Sequence, residues 1–99
     1  EAVCTLIALD QAGAQAVCCA PDTAQAHVIN HLNQQPETGT RNVLVESARI
    51  ARGAVRNLAD VRAADVDALI FPGGFGAAKN LCTFAFDGTS CTVHPEVES

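Results

Sequence analysis

At 99 residues and 10.3 kDa the chain has room for one small domain, and at that length stability requires burying most of the apolar residues. The core on offer is thin, because alanine supplies 18 of the apolar residues while Leu, Ile, Val and Phe together supply 25, with no Trp, Tyr or Met. A net charge of −5, with one lysine and five arginines, provides no field to hold a polyanion, which argues against nucleic-acid binding. No apolar run approaches the roughly 20 residues that span a bilayer, and no membrane role is expected. Five cysteines with irregular spacing and no C-x-x-C pair argue against a disulfide framework, a zinc site or a thioredoxin motif. They read as reduced thiols in an intracellular compartment.

Val3, Cys4, Leu6 and Ile7 recur at near-helical spacing, and Gly13 stands where a helix C′ residue would, so a helix is predicted over 1–12. The apolar run 14–20, closed by Pro21 and Asp22, predicts a buried strand. Residues 23–40 are polar around Val28 and Ile29 and read as a loop with a helical turn. Thr40 is the expected cap of a helix over 41–52, stopped by Gly53. A short edge strand is predicted over 54–58, a polar connection over 60–65, and a parallel core strand over 67–71 that delivers its carboxyl end to Pro72-Gly73-Gly74. Helical spacing resumes over 77–84, Asp87-Gly88 marks a turn, and Pro95 with two following acids reads as a helix start. Alternating helices and strands predict an α/β layer architecture with a mainly parallel sheet. The elements are too few to cover both faces of such a sheet.

Residues 68–80, ALIFPGGFGAAKN, are the richest in chemistry. In open α/β sheets ligands bind outside the carboxyl ends of strands, and glycines there let backbone N–H groups reach a developing oxyanion. A turn that needs positive φ explains the same glycines without any chemistry. Gly74-Phe75-Gly76 matches two glycines of a dinucleotide motif, but Lys79 occupies the third place, so a nucleotide-binding half domain is a weaker reading. His27 and His31, four apart, lack a third ligand at suitable spacing and read as surface residues. His94 reads as a loop or cap residue. Arg41, Arg49, Arg52 and Arg56 read as a solvated face paired with acids such as Glu46.

PGGFGAAKNL, together with RNVLVESARIARG upstream and VINH at 28–31, closely resembles the sigma cross-reacting protein family, also called enhancing lycopene biosynthesis proteins. That family belongs to the PfpI-type, class I glutamine amidotransferase-like superfamily. FPGG, TFAFDG and Cys91 are similar to the vertebrate mitochondrial members, which implies mitochondrial localisation. The resemblance covers essentially all of 1–99 as part of one PfpI-type domain, and implies a flavodoxin-like fold whose first strand and carboxyl half lie outside this sequence. It further implies a homodimer, no cofactor and no metal, and a small aldehyde or carbonyl substrate, as in cofactor-free glyoxalases. Carried over by position, Glu1 is the glutamate beside the nucleophilic thiol, and Gly73 and Gly74 supply the oxyanion amides. The nucleophilic cysteine itself falls beyond the helix that Pro95 begins, so none of the five cysteines inherits the role. Taken without the resemblance, Glu1 is a solvated acid at a helix start. The rival function is a non-catalytic binding or redox-sensing member of the same fold.

Overall fold

The structure, a computed structural model, describes residues 1–98. The first helix, α1 (Ala2–Gln11), has Glu1 as its N-cap residue and ends at Ala12, followed by Gly13 at φ +77°. The chain then runs irregularly to strand β1 (Cys18–Ala20), a small hairpin of β2 (Ile29–Asn30) and β3 (Gln35–Pro36), helix α2 (Val43–Ala51) and strand β4 (Val55–Asn57). Two 3-10 turns over Leu58–Asp60 and Ala63–Asp65 lead to α3 (Phe75–Asn80), α4 (Phe84–Asp87), a further 3-10 turn and α5 (Pro95–Glu98). Strands β1 and β4 pair in parallel with Cys18 opposite Val55, and α2 packs on both, which makes a β-α-β unit. The predicted α/β arrangement with parallel strands flanked by helices is therefore present.

Several elements differ in extent from the sequence reading. The strand expected over 14–20 is confined to Cys18–Ala20, because its partner β4 offers only three paired positions after the Gly53 turn. Residues 23–40 hold the β2–β3 hairpin instead of a helical turn. Asn30 Oδ1 accepts from Leu32 N and Asn33 Oδ1 from Gln35 N at 2.9 Å each, and these side-chain turns reverse the chain. Helix α2 is capped by Asn42, whose side chain accepts from Val45 N at 3.0 Å, and Thr40 lies outside it. The helix expected over 77–84 starts earlier, at Phe75, and breaks at 81–83, where Thr83 N donates to Thr92 O and Cys82 bridges to Val93.

The largest difference is at 67–71, the expected core strand. This run has no ladder partner among the described residues, and Leu69, Ile70 and Phe71 are half or more exposed. A cleft of about 710 Å³ is bordered by Leu6, Leu9 and Ile50 of the helices, by Cys18 of β1, and by Leu69 and Ile70. A second, of about 610 Å³, is bordered by Ala20, Pro21, Leu58, Ile70, Phe71 and Val97. An extended apolar run becomes a strand only when a neighbour takes up its backbone N–H and C=O groups. Here the clefts adjoin it instead.

Candidate functional site

The site is built at two chain positions far apart in sequence. Glu1 is held at the head of α1 by its carbonyl, which accepts from both Thr5 N and Thr5 Oγ1 at 3.0 Å. Its side chain makes no hydrogen bond to cap its own helix. The carboxylate reaches instead over the glycine turn. A Cβ built on Gly73 would stand 2.9 Å from Glu1 Oε2 and 3.8 Å from Cδ. Glu1 and Gly73 are thus brought together across 72 positions of sequence.

Gly74 is the N-cap residue of α3, at φ 103° and ψ 177°, a conformation essentially restricted to glycine. Its carbonyl accepts from Ala78 N at 3.1 Å, so it starts the helix while the backbone reverses. The next turn is steadied by Lys79, whose ammonium lies 5.3 Å from the centre of the Phe75 ring. Asn80, a residue that sequence reasoning passed over, accepts from Ala26 N at 2.8 Å and ties the end of α3 to the segment before the hairpin. His27 in that segment meets Phe86 edge-on at 5.6 Å. Asparagine at a helix end was the only sequence signal for this tie, and a tie spanning 54 positions cannot be read from spacing.

The remaining candidates take structural positions. His94 caps α5: its carbonyl accepts from Val97 N and Glu98 N, and its Nδ1 accepts from Glu96 N at 3.2 Å. His31 gives its carbonyl to Gln34 Nε2. Among the described residues no group of three or more His, Cys, Asp or Glu is arranged to hold a metal ion. Glu46 accepts ion pairs from Arg49 at 2.7 Å and Arg41 at 3.8 Å, and Arg56 donates to Asp60 O, so these three arginines serve a paired surface. All five cysteines are free thiols. Burial pushes the Cys19 thiol up from its ordinary range, adjacent Cys18 adds to the shift, and Arg56 opposes it. A thiol held protonated in this way is a poor nucleophile. The Cys82 thiol leans on the carbonyls of Ala77 and Ala78 at 3.8 Å.

No family model matches the chain. Individual proteins do. It is 58% identical over 99 residues to the human glutamine amidotransferase-like class 1 domain-containing protein 3, mitochondrial, and equally to the rat ES1 protein homologue, mitochondrial. Each alignment takes in 99% of this chain and 37% of the relative. The zebrafish ES1 protein, mitochondrial, is 39% identical over 103 aligned positions. A crystal structure of an isoprenoid biosynthesis protein with an amidotransferase-like domain, from Ehrlichia chaffeensis, superposes with a TM-score of 0.88 at 40% identity, over 97% of this chain and 45% of that one. The flavodoxin-like, amidotransferase-like fold follows from that superposition, and the relatives' mitochondrial names support mitochondrial localisation. This chain is therefore a homologue of the mitochondrial ES1-type, glutamine amidotransferase-like class 1 proteins, spanning 37% of their length.

Proposed function

We propose that these residues form the proton-transfer and oxyanion half of a PfpI-type site acting on small reactive carbonyls in the manner of cofactor-free glyoxalases. The observation that carries the reading is the seating of the Glu1 carboxylate against Gly73, at the start of the Gly-Gly turn that opens α3. In this scheme a cysteine thiolate from outside the 99 residues adds to the aldehyde carbon, and the carbonyl electron pair moves onto oxygen. The amides of Gly73 and Gly74 hold that charge, and Glu1 carries the proton between the two carbons. An α-oxoaldehyde and water give a 2-hydroxy acid, with no net oxidation and no cofactor. A homodimeric assembly belongs to the same reading.

The test is turnover of methylglyoxal by the full-length protein, followed as 2-hydroxy acid formed. Glu1→Gln keeps the size and hydrogen bonding of the side chain but removes its exchangeable carboxyl proton. Turnover should fall by roughly 10²-fold or more while aldehyde binding persists. Turnover by the Gln variant equal to that of the wild type removes Glu1 from the chemistry. Saturable aldehyde binding without turnover in the wild type assigns the protein to the non-catalytic, binding or redox-sensing class.

A further inference from the structure

Gly73 and Gly74 are adjacent, yet only Gly74 is held to glycine by its backbone. Its φ of +103° lies where L side chains are strained, and a Cβ there would meet nothing within 4 Å. Gly73 is the converse. Its φ is outside the positive range, so alanine fits the backbone, but the added Cβ would meet all three carboxylate atoms of Glu1, the nearest at 2.9 Å. Ordinary nonbonded contact begins at about 3.5 Å, so an alanine and this Glu1 conformation exclude one another. The obstructing atoms are the tip of a flexible side chain and no backbone stands in the way. The carboxylate can therefore swing aside with little loss of stability.

We infer that Gly73 is a positioning residue for Glu1: the missing Cβ is the seat that admits the carboxylate over the glycine turn. This role is separate from the donation by its amide. Its consequence for turnover rests on the function proposed above, but the seat itself does not. A second feature makes the seat necessary. Glu1 is exposed and makes no side-chain cap bond to α1, so neither burial nor a cap confines its tip, and the room left at Gly73 decides whether it can lie over the turn.

The experiment is a double-mutant cycle in the full-length protein using Gly73→Ala and Glu1→Gln, read by amide chemical shifts and by methylglyoxal turnover. In the wild-type background, Glu1→Gln should perturb the amide signals of residues 73 and 74. In the Gly73→Ala background that perturbation should fall by about threefold or more, because the carboxylate has left its seat. Turnover should fall by about tenfold or more on Gly73→Ala with KM little changed, and Gly73→Ala should add nothing once Glu1 is Gln. Equal amide perturbation in both backgrounds overturns the inference, as does a Gly73→Ala effect that persists undiminished without the carboxylate. If Gly73→Ala fails to fold, the pair with Glu1→Ala decides: recovery of folding supports the seat, and continued failure overturns it. A wild type that turns over no aldehyde removes the proposed function but leaves the amide-shift cycle to decide the seat.

Discussion

Residues that look alike in the sequence carry different physical demands. Cys18 and Cys19 are neighbours on β1, yet burial raises the Cys19 thiol above its ordinary value of 9.0, with Cys18 adding and Arg56 opposing. The sign of the linkage follows directly. A raised native pKa means that the folded state holds the proton longer than the unfolded state does. The associated stabilisation is complete below the ordinary value of 9.0 and is lost as pH rises through the higher native value. Denaturant unfolding of the full-length protein should therefore show a wild-type advantage over Cys19→Ala that is constant below about pH 9 and shrinks above it. A constant difference up to about pH 10.5 would mean that Cys19 keeps an ordinary thiol pKa.

Element boundaries show how tertiary contacts choose between equivalent local signals. Thr40 and Asn42 are both good helix caps by type. Asn42 wins because its Nδ2 donates to Asp22 Oδ1 at 2.7 Å, while Val43 N donates to Thr23 O at 2.8 Å and Asn42 bridges to Ala24. These ties hold the approach to α2 extended through Asn42, so the first helical residue is Val43. Asn42→Ala removes the cap bond and the Asp22 tie together, and should cost about 1–2 kcal/mol. The midpoint of chemical denaturation should drop with an unchanged slope, and Asn42→Asp should recover only part of the loss because it faces Asp22 with a second carboxylate. The same reasoning sets what was legible beforehand. Helix α1, helix α2 and the β4 strand follow from local periodicity and stop signals. The hairpin was readable in principle from Asn30 and Asn33, whose side chains make its turns. The 67–71 run has the composition of a strand, but pairing is a property of its neighbours. The meeting of Glu1 and Gly73 is non-local and came into view only through family resemblance.

At the scale of the molecule, the balance between buried and exposed surface is unusual. A compact monomer of 10.3 kDa is expected to expose about 5,400 Å², whereas this chain exposes 7260 Å². Its radius of gyration is 14.2 Å, against about 12.6 Å expected for its length. The excess surface, roughly 1,900 Å² on this one chain, is more than twice the roughly 800 Å² that each partner buries in a standard protein–protein interface. Among the described residues only Ala20 and Pro21 are buried, while Val3, Ile7, Leu69, Ile70 and Phe71 stand at least half exposed. If about half of the excess is apolar, the unrealised burial is on the order of 20 kcal/mol, larger than the roughly 5–15 kcal/mol by which domains are stable. The 99 residues expressed by themselves should then retain helix and the β1–β4 pairing without fixed side-chain packing. Far-UV circular dichroism should show helix, a hydrophobic dye such as ANS should bind strongly, and amide signals should crowd into a narrow range. A cooperative thermal transition, with dispersed amide signals from an isolated monomer, would mean that this surface is satisfied within the chain. The apolar clefts beside 67–71 would then have to close in solution, and burial of Leu69 and Phe71 from solvent is the direct check of that alternative.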